Sequence, residues 1–245
     1  MSQTVNVDRA LVFKADAAIQ NNVKGNLSTE RMHSVDWFDG KALDTSNAYT
    51  QTLGGTSDAG ALTAGGENGV KFTTGTGDNE ISFLATGLVF DITQKPDIES
   101  KIEITDVSGT VVFFGFSDAV TESTPAGSLD ADSGTLTAVA TDVVGFVVDA
   151  DLGASSLYCA SAKSGASVQS VDTGIDWTDT QSKVLRVSLD ASGNARFYVD
   201  GVQEGYIASA VADVPLCAIW NYGTRANDGA NVVTARYLKK WQDIP

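Results

Sequence analysis

The sequence predicts an all-β protein in which two antiparallel sheets pack as a sandwich behind an extended N-terminal arm. From residue 65 onward, short runs of β-branched and aromatic residues are separated every eight to twelve residues by clusters of Gly, Asp, Asn and Ser. Several runs alternate apolar and polar residues, the pattern of a strand with one buried face. Only residues 10–23 could form a helix. A chain of 245 residues can close such a sandwich without a metal or a disulfide.

The first 35 residues differ from the rest in composition. They lack the turn clusters of a β domain and are polar except for an apolar island at residues 10–13. Residues 1–41 hold five basic and five acidic side chains, whereas residues 102–182 hold one basic residue against twelve acidic ones. We therefore divide the chain into an extended arm, residues 1–35, and a sandwich domain, residues 36–245.

The apolar runs of the sandwich domain predict about twelve strands in two sheets. These runs fall at residues 70–74, 80–86, 88–93, 98–106, 110–116, 143–149, 156–163, 167–173, 183–189, 195–200, 215–222 and 232–241. Turn chemistry joins neighbouring runs into hairpins. In the turn at residues 190–194, Gly193 supplies the positive φ of a bulged loop. The strands on either side of this turn alternate well, which predicts a half-buried sheet.

Two runs, residues 111–116 and 143–148, are apolar on both faces, so something must cover the side that does not face the core. The segment at residues 45–66, the arm and a neighbouring subunit are all possible covers, and the sequence does not choose between them. We expect self-association into a homo-oligomer, with a trimer as the favoured form.

The charge balance narrows the range of partners. Sixteen Lys and Arg against 31 Asp and Glu give a net charge of −15, which repels nucleic acid and anionic membranes. No apolar stretch is long enough to span a bilayer, and the N-terminus lacks the pattern of a secretory signal, so we expect synthesis and folding in the cytoplasm. Cys159 and Cys217 lie in apolar runs and are expected to be buried, reduced thiols.

Four segments, in order, resemble the concanavalin A-like jelly-roll sandwiches, which include lectin and laminin-G domains. They are WFDGKALDTSNAY at residues 37–49, GGENGVKFTTG at 65–75, LRVSLDASGNARFYVDG at 185–201 and VVTARYLKKWQ at 232–242. Three further segments resemble lectin-fold virion proteins of tailed bacteriophages. They are TGTGDNEISFLATGLVF at residues 74–90, VVFFGFSDAV at 111–120 and GFVVDAD at 145–151.

The second resemblance implies a non-enzymatic virion protein, most plausibly one that decorates a capsid and binds the major capsid protein. Because the acidic body would be repelled by a shell of like charge, we expect the arm to provide the contact. The expected contact residues are the basic residues of the arm and its apolar island, namely Arg9, Leu11, Val12, Phe13, Lys14, Lys24 and Arg31. Alternatively, the arm folds back over its own sandwich.

The sequence offers little for catalysis or for a cofactor. Glycosidases on this fold carry a strand with the order Glu-x-Asp-x-x-Glu, which is absent here. Asp97, Glu99 and Glu103 share one face of a strand at a spacing that suits paired carboxylates, but a solvated strand face is the favoured interpretation. With His33 as the only histidine, neither a nucleophilic triad nor a zinc site is expected. The Asp-rich turn at residues 130–134 resembles only the start of a calcium loop.

The alternative function is that of a carbohydrate-binding, lectin-like module of a phage tail or fibre. Sugar binding needs exposed aromatic rings beside polar loops, and Trp177, Tyr222 and Arg225 are the candidates. Trp37 and Trp241 are expected instead to close the edge of the sandwich.

Overall fold

A computed structural model describes most of the chain after residue 30. The described residues are 31–38, 42–54, 61–64, 69–75, 77, 80–121, 129–132, 134–153, 155–225 and 232–243. They form two antiparallel sheets packed face to face, so the predicted all-β, concanavalin A-like jelly-roll sandwich is confirmed. No helix in this part of the chain is long and apolar enough to cross a membrane.

The first sheet has seven strands. Their bounds are β2 Tyr49–Gly54, β5 Ile81–Thr86, β7 Thr110–Ser117, β10 Val143–Asp149, β11 Ser156–Ala162, β12 Gln169–Asp176 and β16 Cys217–Thr224. Their order in the sheet is β12-β11-β10-β7-β16-β5-β2. Six of these strands overlap predicted runs. Strand β2 was not predicted, because its sequence YTQTLG is mostly polar and only its first residue, Tyr49, is buried.

The second sheet has nine strands. Their bounds are β1 Arg31–Asp36, β3 Ala61–Ala64, β4 Val70–Thr73, β6 Asp97–Ile104, β13 Ser182–Leu189, β14 Ala195–Val199, β15 Val202–Ile207, β17 Val232–Ala235 and β18 Leu238–Asp243. Seven of them follow the order β15-β14-β13-β6-β17-β4-β3. Strand β18 pairs with the first half of β6 and with β1, which forms the outer edge there. Strand β1 lies mostly within the segment assigned to the arm. Residues 1–30 lie outside the described residues, so the arm itself stays a prediction.

The main core lies between the sheets and is rich in aromatic rings. Phe114 contacts Trp220 with ring centroids 5.5 Å apart, and Phe146 meets Phe197 edge to face at 5.4 Å. In β13, Leu185, Val187 and Leu189 point into this core, as the alternation predicts, while the intervening residues face solvent.

A separate hairpin covers the outer face of the seven-stranded sheet. It consists of β8 Leu129–Asp132 and β9 Thr135–Ala138, in the connection between β7 and β10. Leu129 and Ala140 are buried there against outward-facing side chains of β7 and β10, including Phe113 and Val147. The sequence suggested three possible covers for this face, and the hairpin was not among them. A homo-oligomer was expected because the strands that are apolar on both faces need a cover. Since the hairpin supplies that cover, this reason no longer holds, and the homo-oligomer stays a prediction.

One predicted strand, at residues 88–93, is wrong. Leu88 and Val89 are exposed, Phe90 makes only an isolated bridge with Leu216, and a 3₁₀ turn follows at Ile92–Gln94. The Asp91 carboxylate accepts hydrogen bonds from the backbone and hydroxyl of Thr93 at 2.8 and 2.6 Å. An Asp side chain that bonds the following backbone favours a turn over an extended strand.

Candidate functional site

The edge formed by β1 and β18 presents a row of aromatic side chains on the outer face of the nine-stranded sheet. The strands are antiparallel, with His33 opposite Trp241 and Asp36 opposite Leu238. Side chains two residues apart share a face, so His33 and Trp37 lie on the same side of β1, as Tyr237 and Trp241 do beside them. We call these four residues the aromatic ribbon.

Each end of the aromatic ribbon is a pair of rings in edge-to-face contact. Trp37 and Tyr237 have ring centroids 5.4 Å apart, and His33 and Trp241 have centroids 6.0 Å apart. Trp37 is 57% exposed, an unusual value for the largest apolar side chain. The two pairs are separated by four residues along each strand, or about 13 Å at about 3.3 Å per residue.

A charged pair occupies the space between the two ring pairs. Glu99, on the neighbouring β6, accepts hydrogen bonds at Oε1 from the Tyr237 hydroxyl at 3.0 Å and from Lys239 Nζ at 2.8 Å. Burial raises the pKa of Tyr237 well above its usual range, and the bond to Glu99 raises it further. Tyr237 is therefore a neutral donor at every physiological pH. Lys239 also lies 4.8 Å from the centre of the Tyr237 ring.

Residues on both sides of Trp37 fix its position. The Asp36 carboxylate accepts hydrogen bonds from the Tyr49 hydroxyl at 2.7 Å and from the Phe38 backbone N–H at 2.9 Å. Phe38 adopts a left-handed conformation with φ 52°, and its ring is buried edge to face against Trp220. Because Asp36 and Phe38 are anchored from the inner side, Trp37 between them is directed outward and has little freedom to collapse.

Beneath the ribbon, Lys240 points toward the inner side of the sheet. Burial lowers the pKa of Lys240, and the nearby charge of Asp36 partly opposes this change.

The three residues predicted for sugar binding are not available to a ligand. Trp177 is 1% exposed and its indole Nε1 donates a hydrogen bond to the Gln181 carbonyl oxygen at 2.9 Å. Tyr222 is also 1% exposed and belongs to the core between the sheets. The Arg225 side chain is buried against Asp149. Their polar neighbours in the sequence suggested exposed loops, whereas the rings themselves point inward.

The other predicted residues are distributed as follows. Arg9, Leu11, Val12, Phe13, Lys14 and Lys24 lie outside the described residues, and only the backbone of Arg31 is described. Glu99 and Glu103 lie on a partly exposed strand face and form ion pairs with Lys239 and Arg236, as expected of a solvated face. In the described part of the chain, no group of three His, Cys, Asp or Glu could hold a metal.

The aromatic ribbon was not predicted from the sequence. The signal was present, because HSVDW at residues 33–37 and YLKKW at residues 237–241 both place aromatic residues four apart with one residue of the same face between them. His33 was assigned to the arm, and both tryptophans were assigned to packing. Trp37, however, is exposed, and Trp241 is only partly buried.

The sequence matches no family model and no curated protein. The structure is similar to that of a laminarinase catalytic domain from Thermotoga maritima, with a TM-score of 0.61, 11% identity, and coverage of 89% of this chain and 100% of that one. An endo-1,3-β-glucanase from Streptomyces sioyaensis also gives a TM-score of 0.61, with 13% identity over 88% of this chain and 97% of that one.

A glycoside hydrolase family 16 endo-glucanase from Bacteroides ovatus has a TM-score of 0.58 and 10% identity, covering 84% of this chain and 99% of that one. At these identities the likeness shows a shared fold. The expected role as a capsid decoration protein is nevertheless wrong, as is the expectation that the chain is non-enzymatic. These neighbours are carbohydrate-active enzymes, and nothing in the comparisons points to a virion protein.

Proposed function

We propose that this protein is carbohydrate-active and binds a β-glucan chain along the aromatic ribbon. The observation that carries the proposal is the exposed Trp37 ring, held by Tyr237 and followed about 13 Å along the strands by a second ring pair. Pyranose rings stack on aromatic faces, while their hydroxyl groups need hydrogen-bonding partners beside the stack.

The polar groups of the ribbon meet that need. Lys239 supplies a donor and Glu99 supplies acceptor oxygens between the two ring pairs. Both ends of an oligosaccharide could therefore stack while its central hydroxyl groups contact the charged pair. The anchoring of Trp37 by Asp36 and Phe38 reduces the conformational entropy that the site loses on binding.

The structural neighbours support the choice of glucan as ligand. They are named as a laminarinase, an endo-1,3-β-glucanase and an endo-glucanase. A shared fold does not transfer an active site, and the order Glu-x-Asp-x-x-Glu is absent from this sequence. Binding of glucan is therefore the function that the described residues support best.

Calorimetric titration of the protein with a soluble β-1,3-glucan tests the proposal. We expect saturable binding that falls about tenfold or more in Trp37→Ala, since loss of an aromatic anchor at a binding site typically costs about 2 kcal/mol or more. The matched control is Tyr206→Ala, which removes another exposed ring from β15, a strand at the opposite edge of the same sheet.

Equal affinity of the wild type and Trp37→Ala, or equal losses in both variants, would contradict a site at the ribbon. The same samples can be assayed for new reducing ends. Release of reducing ends by the wild type would show that the protein also cleaves the glucan.

A further inference from the structure

The outer face of the nine-stranded sheet carries both basic and acidic side chains, in a chain whose net charge is −15. Alternation along the strands and the pairing register place six of the described cationic side chains there, namely Lys71, Lys101, Arg186, Arg196, Arg236 and Lys239. Asp97, Glu99 and Glu103 lie on the same face, so an anionic ligand would be attracted only to a cation that these carboxylates do not neutralise.

Arg186 lies at the centre of this face, and its guanidinium has no acidic partner among the described residues. On the same face, Lys239 is paired with Glu99 at 2.8 Å and Arg236 with Glu103 at 2.6 Å. Glu99 lies directly across from Arg186 in the strand register but binds Lys239 and Tyr237 instead. Among the described residues, no hydrogen-bond acceptor reaches the buried Nε of Arg186.

The Arg186 side chain is nevertheless held in place. Its guanidinium carbon lies 3.8 Å from the centroid of the Tyr198 ring, directly opposite on β14. On the same strand, Arg196 lies 5.7 Å from the Tyr206 ring and forms a long ion pair with Asp190 at 3.7 Å. A guanidinium stacked on a ring is already held in position, so it loses little freedom when it binds an anion.

We infer that Arg186, stacked on Tyr198, binds the carboxylate group of an acidic polysaccharide. Two parallel N–H···O bonds from a guanidinium match a carboxylate, which makes a uronic acid residue the fitting ligand. The inference rests on the proposed function, because it takes the polymer that reaches Arg186 to be a β-glucan that carries uronic acid residues and continues onto the aromatic ribbon. Strand β13 is two strand spacings from β18, or about 10 Å, which an oligosaccharide can span.

Titration with a β-1,3-glucan oxidised at C6 to glucuronate and with the methyl ester of that polymer tests this inference. The ester has the same sugar rings without the charge. We expect the acid to bind more tightly than the ester. Arg186→Gln should lower the affinity for the acid by about tenfold to a hundredfold, the range for loss of a charge-assisted hydrogen bond, and leave the affinity for the ester unchanged. Arg186→Lys should recover only part of the loss, since an ammonium lacks the two-pronged geometry.

Lys101→Gln is the matched control, because it removes one positive charge from the same face and leaves the stacked guanidinium intact. Equal binding of acid and ester, or equal losses in Arg186→Gln and Lys101→Gln, would overturn the inference. Trp37→Ala should weaken acid and ester alike. If Trp37→Ala weakens the binding of neither polymer while Arg186→Gln still weakens the binding of the acid, the carboxylate site is supported and the ribbon proposal is contradicted.

Discussion

The Arg225 guanidinium donates hydrogen bonds to both carboxylate oxygens of Asp149, from Nε at 3.1 Å and from Nη2 at 2.7 Å. The Asp149 side chain is completely buried, and that of Arg225 is 8% exposed. The pair also holds the covering hairpin, because the Ala131 N–H donates to Asp149 at 2.6 Å and the Ala131 carbonyl accepts from Arg225 at 2.8 Å.

Loss of one partner of this pair should therefore loosen the hairpin and destabilise the protein. We expect Arg225→Met to lower the free energy of unfolding by about 3–5 kcal/mol, because Asp149 is left as an uncompensated buried charge. Denaturant unfolding measures the change. Asp151→Asn is the control, since the Asp151 side chain is 45% exposed and lies 3.8 Å from Arg225 Nε. A loss in Arg225→Met no larger than in the control would contradict the expectation.

The turn after β13 should make stability depend on pH through Asp190. Partial burial alone would raise the pKa of this carboxyl group. Hydrogen bonds from the Asn194 side chain and from the Ser192 and Asn194 backbones, together with the charge of Arg196, lower it below its usual value instead. A lowered pKa in the folded state stabilises the fold above about pH 4, and that stabilisation is lost as the pH falls through the folded pKa.

We therefore expect Asp190→Ala to cost about 1–2 kcal/mol at pH 7 and less in acid. The measurement is the difference in Tm between wild type and variant from pH 7 to pH 3. Asp190→Asn serves as the control because it keeps an oxygen acceptor but cannot ionise. A difference between wild type and Asp190→Ala that stays constant with pH would contradict the assignment.

Both cysteines should be slow to react in the native protein. Cys159 and Cys217 are buried free thiols, as the sequence predicts. Burial raises the pKa of Cys159, with a smaller contribution from the charge of Glu204, and Cys217 Sγ contacts the Ser117 carbonyl at 3.1 Å. A thiol reagent at pH 8 should modify neither residue quickly and both in denaturant, since only thiolates react. Fast modification of the native protein would show that the core opens readily.

A pair of glycines allows β7 and its neighbour β10 to pack closely together. Gly145 lies opposite Gly115, and a methyl group at residue 145 would come within 2.4 Å of the Phe114 carbonyl oxygen and 2.5 Å of the Phe113 ring. Gly145→Ala should cost about 1–3 kcal/mol through overpacking, measured by thermal unfolding. Gly87→Ala should be nearly neutral, because the added methyl would meet only ordinary contacts. Similar losses in the two variants would indicate a backbone effect rather than a collision.

Much of the fold could be predicted from local patterns because each predicted hairpin is short in sequence. Strands β13 and β14 pair across the turn at residues 190–194, and their alternating side chains fix which face is buried. The apolar run in β10 likewise required two covered faces, and the structure provides both. The covering hairpin itself was not predicted, since its strands are only four residues long and rich in Asp, Thr and Ala.

The candidate site could not be predicted in the same way, because it depends on pairing between distant segments. Arg31 lies opposite Asp243, and no local pattern specifies a register across that separation. Period-two alternation shows that His33 and Trp37 share a face, but it does not show which face meets solvent. That choice follows from the packing of Phe38 and Tyr49 inside the sandwich, which only the assembled structure shows.

Each ring pair of the aromatic ribbon takes one ring from near the beginning of the described chain and one from near its end. A ribosome must therefore translate past Tyr237 before either pair can form, and an unfolding intermediate that releases β18 and the adjoining Tyr237 loses both at once. Glucan affinity would then report more than the presence of Trp37. A glucan-coated resin would retain only molecules in which β1 and β18 have joined, and so would separate fully folded protein from truncated or misfolded chains.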